Sequence, residues 1–137
     1  LLLAALRGEA AMTRLIAIDR KGALAEAIWR EVPQAQARER LQVLLALWRE
    51  GRSVPLPFAP KAAYAYAQSH GDKRDPMVAW RAAWAAFAPF NLSGEHDDPW
   101  LALAFRPQGL LATFDVPRSV RFRELALQVF DAVGTGG

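Results

Sequence analysis

Residues 75–87 read Asp-Pro-Met-Val-Ala-Trp-Arg-Ala-Ala-Trp-Ala-Ala-Phe, and this stretch decides the fold expected for the chain. An aspartate directly before a proline is typical of a helix start, because the carboxylate caps exposed amides and proline suits the first helical position. Large apolar side chains then recur at steps of three and four residues: Met77, Trp80, Trp84 and Phe87. The spacing predicts an amphipathic helix, capped by Asp75, whose large side chains form the buried face.

A second Asp-Pro pair lies in Gly94-Glu95-His96-Asp97-Asp98-Pro99-Trp100. Carboxylates at this density could hold a hard cation such as Mg²⁺. A helix start also attracts carboxylates, and capping alone explains Asp98 before Pro99. We interpret the segment as a structural motif, with Asp98 as the cap, Asp97 bracing the loop and Trp100 opening a short helix. A metal site is the alternative.

The remaining elements follow from periodicity and turn residues. Alternation over Thr13 to Val32, with a turn at Asp19-Arg20-Lys21-Gly22, predicts a two-stranded antiparallel ribbon. An apolar stripe predicts a helix after Pro33 that ends near residue 51. Three alternating prolines exclude a helix from Val54 to Pro60. Helices are expected again from Lys61 and after Ser119. The predicted class is α+β, mostly helical with a small β-hairpin.

Bulk composition indicates one globular domain over residues 1–137. The chain is 53% hydrophobic and 23% charged, and alanine carries much of the hydrophobic share, which favours close helix packing. The lack of cysteine excludes disulfides and thiol ligands. No apolar run reaches the ~18–20 residues that span a bilayer. Because the chain begins at Leu1 rather than methionine, we expect it to be a piece of a larger subunit.

The net charge of +3 permits contact with DNA phosphates without requiring it. A cluster of arginines at the start of the last predicted helix is the best candidate surface for such contact. A solvated face or a protein interface explains these residues equally well. The candidate DNA- or partner-contacting residues are Lys61, Lys73, Arg74, Arg118, Arg121 and Arg123.

Catalytic patterns are weak throughout. The one acid-x-Lys tripeptide, Asp19-Arg20-Lys21, falls in the predicted turn rather than along a strand. His70 and His96 share no ligand spacing, and neither a nucleophile elbow nor a phosphate-binding glycine loop is present. We therefore predict no catalytic residue and no bound metal. The alternatives are a metal-dependent nuclease using Asp19, Lys21 and the acids near Asp97, or a free-standing DNA-binding module.

Several segments, taken in order, resemble the C-terminal domain family of the exodeoxyribonuclease V gamma chain (RecC). They are the strand pair 13–32, Ala37-Arg38-Glu39-Arg40-Leu41, Leu47-Trp48-Arg49-Glu50-Gly51, Pro55-Leu56-Pro57-Phe58-Ala59-Pro60-Lys61, the Gly94–Trp100 segment and a final helix near the chain end. The combination of the proline-rich stretch with Gly-x-x-Asp-Asp-Pro-Trp carries most of the resemblance.

The resemblance implies a fold similar to a degenerate restriction-endonuclease-like (PD-(D/E)XK) nuclease core that has lost its active site. It implies a non-catalytic role in the cytoplasmic RecBCD helicase–nuclease, in DNA repair and recombination. The partners would be RecB-like and RecD-like subunits, with DNA binding through the whole complex and no membrane contact. ATP and magnesium would be used by the partner subunits, and this domain would hold no cofactor.

Overall fold

The computed structural model describes residues 5–6, 11–18, 22–73, 75–90, 92–105 and 116–133. The described elements, in chain order, are β1 Ala11–Ile18, β2 Leu24–Val32, α1 Gln34–Gly51, α2 Pro60–Lys73, α3 Pro76–Phe87, α4 Pro99–Phe105 and α5 Val120–Val133. Two 3₁₀ turns, Glu95–Asp97 and Val116–Arg118, precede α4 and α5.

The chain divides into two compact units, Leu1–Leu45 and Ala46–Gly137, and the boundary falls within α1. Each unit has its own buried residues. That residues 1–137 form a single domain stays a prediction.

In the first unit, β1 and β2 pair antiparallel, with Ile18 opposite Leu24 and an irregularity near Thr13. Gly22 has a φ of 81°, the left-handed conformation that a short connection requires and that glycine adopts without a steric penalty. The strand pair lies where the alternation predicts it. The turn residues 19–21 lie outside the described residues.

The start of α1 carries the buried part of this unit. Ala37 is fully buried and Ala5 is 6% exposed, and Val32 and Leu41 pack against the pair. Gln34 Nε2 and Arg38 Nε each donate a hydrogen bond of 3.2 Å to the carbonyl oxygen of Ala5. The predicted stripe on α1 is therefore buried at its beginning, whereas Trp48, near its end, is 58% exposed.

The α+β fold with a nuclease-like core is wrong for the described chain. Such a fold needs a sheet layer whose apolar face helices can cover. The described strands form one two-stranded ribbon, and two strands alone make no such layer. In the second unit, 46–137, the described residues form helices, turns and loops only. The described chain is mostly helical and gives no evidence of a nuclease fold.

The second unit is built on close packing of α2 against α3. Ala62 and Ala63 of α2 and Ala79 and Ala83 of α3 are all completely buried. Small side chains let two helix backbones approach closely, which confirms the expectation from the alanine content. Larger buried side chains complete the core, among them Tyr66, Phe87, Phe122 and Leu125.

The helix predicted at 75–87 is confirmed as Pro76–Phe87, but of the predicted buried face only Phe87 is fully buried. Met77 is 58% exposed, and Trp80 and Trp84 are only half-buried, stacked on each other with ring centroids 6.1 Å apart. The alanine face is buried together with Phe87. The two larger indoles pack against this core and stay partly exposed.

The last helix begins at a side-chain cap. The hydroxyl of Ser119 accepts a hydrogen bond from the amide of Phe122 at 3.0 Å and donates one to the carbonyl of Val116 at 3.1 Å. Phe122, Leu125 and Ala126 then form the buried face of α5. The capped helix start after Ser119 lies where the sequence predicts it.

Candidate functional site

Glu95 caps the start of α2, a helix that has no cap of its own. Its Oε1 accepts a hydrogen bond from the amide of Lys61 and its Oε2 one from the amide of Ala62, both at 2.8 Å. Ala59, directly before Pro60, offers no side-chain acceptor. A carboxylate 34 residues after Lys61 therefore satisfies the amides that every helix leaves exposed at its first turn.

His96 fixes the same segment to the end of α3. Its Nδ1 lies 3.0 Å from the carbonyl oxygen of Phe87. A carbonyl can only accept, so Nδ1 carries the proton in this hydrogen bond. Its Nε2 faces Asp97 Oδ1 at 3.2 Å, and its ring lies 6.2 Å from the ring of Phe87. The imidazole thus has a structural partner on each side.

Gly94 allows this close approach by having no side chain. A Cβ at this position would lie 2.3 Å from the carbonyl oxygen of Phe87, 2.4 Å from Pro89 Cδ and 2.9 Å from His96 Nδ1. Its φ of −123° and ψ of −173° are open to any residue. Glycine is required here by space, not by backbone conformation.

The aspartates of the two Asp-Pro pairs both bond to helix amides. Asp75 Oδ1 accepts from the amide of Met77 at 2.9 Å. Asp98 Oδ1 accepts from the amides of Trp100 at 2.8 Å and Leu101 at 3.3 Å. Each carboxylate therefore occupies the N-cap position of its helix, α3 and α4 respectively.

Asp97 directly precedes Asp98, and its carboxylate contacts residues of its own loop. Its Oδ2 accepts from the amide of Gly94 at 3.3 Å, while Oδ1 faces His96. The residues from Gly94 to Asp98, hereafter the 94–98 segment, thus connect the start of α2, the end of α3 and the start of α4.

The metal-site alternative finds no support in this geometry. Glu95, Asp97 and Asp98 each direct carboxylate oxygens to backbone amides, and their positions follow from helix capping. Within the described ranges, no group of three or more histidine, aspartate or glutamate side chains is placed to hold a metal ion. The tripeptide Asp19-Arg20-Lys21 lies outside those ranges.

The predicted arginine cluster is divided among separate contacts. Arg121 forms an ion pair with Glu50 at 2.5 Å and a longer one with Glu124 at 3.4 Å, and the hydrogen bond to Glu50 raises the pKa of Arg121 further. The guanidinium of Arg118 lies over the ring of Trp84, 5.4 Å from its centroid. Both side chains thus contribute contacts within the second unit.

Arg123 is partly enclosed. Its Nε is buried with no hydrogen-bond partner in the described part of the chain. Its charge acts on Tyr66, whose pKa is raised by burial and lowered in part by Arg123.

The other predicted basic residues do not join this cluster as far as the structure describes them. Lys61 is exposed and uses its backbone amide to bond Glu95. Lys73 ends α2, and Arg74 lies outside the described residues. That the six residues contact DNA or a partner stays a prediction.

Sequence reasoning considered Glu95 only as a possible ligand of a cation and missed its role as a helix cap, although it assigned structural roles to Asp97 and Asp98. A signal was present, because α2 begins at Ala59-Pro60 without a residue able to cap it. That absence indicates that a cap comes from elsewhere. It does not indicate which of the 14 acidic residues supplies it, since that depends on the tertiary fold.

None of the described helices is both long and apolar enough to cross a membrane. A family model described as the RecC C-terminal domain matches residues 1–71, which include the ribbon, α1, the proline-rich stretch and most of α2. No curated protein and no solved structure matches the chain.

The matched range is about half of the chain, and the class it defines is a domain of a RecBCD subunit. The chain belongs to the RecC C-terminal domain family. At the level of the family, this connects it with the RecBCD complex, exodeoxyribonuclease V, and with DNA repair. The 94–98 segment lies beyond the matched range.

Proposed function

We propose that the chain is a non-catalytic domain of a RecC-like subunit that serves subunit assembly and DNA handling in RecBCD during double-strand-break repair and recombination. Family membership over residues 1–71 is the observation that carries the proposal. In this role the domain contacts RecB-like and RecD-like subunits, and DNA is bound by the whole complex.

The geometry of the acids supports a structural role. In a metal-dependent nuclease, carboxylates converge on a common point where the ion binds. In this chain, Glu95 points to the start of α2 and Asp98 to the start of α4, so their oxygens diverge to different helices. The acidic segment that most resembles a catalytic site is therefore used to fix helix ends.

The contacts of the arginines support protein assembly over direct DNA binding by this domain. A phosphate-binding surface needs guanidinium groups that are available to the backbone of DNA. Arg121 is paired with Glu50 and Glu124, and Arg118 lies over an indole ring. We further propose that the domain holds no cofactor, that ATP and magnesium act in the partner subunits, and that the complex is cytoplasmic.

Co-purification is the decisive experiment. The tagged chain, co-expressed with the RecB-like and RecD-like subunits of its own genome, is expected to retain at least one of them through affinity and size-exclusion steps. Failure to retain either subunit would overturn the proposed function. Magnesium-dependent cleavage of linear DNA by the chain alone, lost on Asp97→Ala, would establish the nuclease alternative instead. Salt-sensitive binding of forked DNA by the chain alone would establish the DNA-binding module.

A further inference from the structure

The short helix α4 has one buried side and one side that exposes large apolar residues. Phe105 is 5% exposed, and Leu101 packs against the core of the second unit. Trp100 is 76% exposed and Leu103 is 54% exposed, and residues three apart on a helix are neighbours on its surface. Tryptophan is rarely so exposed, and exposed aromatic residues are frequent anchors of protein interfaces.

Trp100 is presented by a fixed helix start. It follows Asp98 and Pro99, and its amide donates to Asp98 Oδ1 at 2.8 Å. The 94–98 segment in turn connects this start to α2 and α3. A backbone held in this way loses little conformational freedom when a partner covers the side chain, which favours binding.

Trp100 also differs from two other tryptophans of the second unit. Arg52 lies over the ring of Trp48 at 5.1 Å, and Arg118 lies over the ring of Trp84 at 5.4 Å. Among the described residues, no arginine or lysine lies over the ring of Trp100. An indole that is 76% exposed can receive a cation from another molecule on its aromatic face.

The acidic residues next to Trp100 favour a basic partner. The 94–98 segment contains three acids, Glu95, Asp97 and Asp98, and no lysine or arginine, although the whole chain has a net charge of +3 and Arg106 directly follows α4. Asp97 and Asp98 are exposed and directly precede α4. Carboxylates in this position repel the phosphates of a nucleic acid and attract basic side chains.

We propose that Trp100 and Leu103 form a docking surface for an arginine-bearing apolar segment of another protein. An arginine of the partner stacks on the indole of Trp100 and pairs with Asp97, because a planar guanidinium can make both contacts. Apolar side chains of the partner cover Leu103. This inference rests on the proposed function, since it takes the partner to be another subunit of the same complex.

Binding of immobilised chain to purified RecB-like and RecD-like subunits tests the proposal. Trp100→Ala is expected to raise the Kd for the bound subunit about tenfold or more, the effect of losing an interface anchor. Asp97→Asn keeps an acceptor for the Gly94 amide but removes the charge, and a smaller loss is expected. Trp48→Ala is the matched control, because it removes another exposed tryptophan, and a change below about twofold is expected. Equal melting curves establish that the variants fold alike.

The possible results distinguish failure of the proposed docking surface from failure of the proposed function. If the unaltered chain binds a subunit and Trp100→Ala binds it equally well, the docking surface is refuted and the proposed function stands. If the unaltered chain binds neither subunit, both are refuted. If Trp100→Ala weakens binding of a fluorescent single-stranded oligonucleotide and leaves subunit binding unchanged, the surface is a nucleic-acid contact and the proposal fails.

Discussion

Replacement of Gly94 by alanine tests whether the 94–98 segment holds the helices of the second unit together. The added Cβ would lie 2.3 Å from the carbonyl oxygen of Phe87 and 2.4 Å from Pro89 Cδ. Both distances are far below van der Waals contact. A backbone carbonyl and a proline ring cannot swing aside as a flexible side chain does, so the backbone of the segment must shift.

The loss in free energy of unfolding depends on the contacts that this backbone shift disrupts. Overpacking in a well-packed region typically costs about 1–3 kcal/mol. We expect the upper end, about 3 kcal/mol, because moving Gly94 also strains the hydrogen bonds of Glu95 to α2 and of His96 to Phe87. For a unit of this size, that loss corresponds to a fall in Tm of roughly 12 °C or more.

Urea unfolding followed by tryptophan fluorescence is the assay, since Trp48, Trp80, Trp84 and Trp100 all lie in the second unit. Gly71→Ala is the matched control. No atom lies within 4 Å of the Cβ it would add, and Gly71 lies within α2. Alanine is the better helix former, so this variant is expected to be unchanged or stabilised by up to about 1 kcal/mol.

A double-mutant cycle then tests the proposed mechanism. If Gly94→Ala acts by displacing Glu95, its cost and that of Glu95→Ala should combine to less than their sum. An unfolding midpoint for Gly94→Ala equal to that of Gly71→Ala would refute the steric argument. Strict additivity with Glu95→Ala would refute the link to the helix cap.

Three further predictions follow from the caps and the core. Glu95→Ala should lower the free energy of unfolding by about 1–2 kcal/mol. Glu95→Gln should lower it by less, because glutamine keeps one acceptor oxygen. Equal losses for the two variants in urea titrations would contradict a cap made by both carboxylate oxygens. Asp98→Ala should cost about 0.5–2 kcal/mol, the usual range for an N-cap, and an unchanged denaturation curve would remove that assignment. Burial raises the pKa of Tyr66 in the folded state above its ordinary value of 10.0. Tyr66 therefore ionises first in the unfolded state as pH rises. The contribution of Tyr66 to the free energy of unfolding should be complete below pH 10.0 and should decline as pH rises toward the pKa of the folded state. Tyr66→Phe should flatten that decline in melting curves measured across alkaline pH, and an identical decline in both proteins would exclude Tyr66 as its source.

Local signals in the sequence predict the elements of this chain well. Asp75 and Asp98 are each followed by proline, and both prolines begin helices. Gly22 is left-handed at the turn between β1 and β2. In each case the information lies within a few residues of the feature, because caps and turns are made by atoms close together in the chain.

The packing of the elements was less predictable, because it depends on residues distant in sequence. The spacing of Trp80 and Trp84 indicates a buried stripe, yet the adjacent alanines face α2. Size explains the difference, since close packing against Ala62 and Ala63 selects the small side chains of α3. The nuclease-like fold was wrong for a related reason: it was inferred from resemblance, and the described residues of 46–137 form none of the strands that such a core requires.

The position of Glu95 has a consequence for synthesis on the ribosome. All residues of helix α2 have been joined to the chain once residue 73 is added, but the carboxylate that completes its first turn follows 34 residues after Lys61. At ordinary rates of translation, Glu95 is added to the chain on the order of 2–7 s after the amides of that turn. The second unit therefore cannot complete its folding helix by helix as it emerges. A chain cut after residue 71 would carry the range matched by the family model and still lack the carboxylate that caps α2.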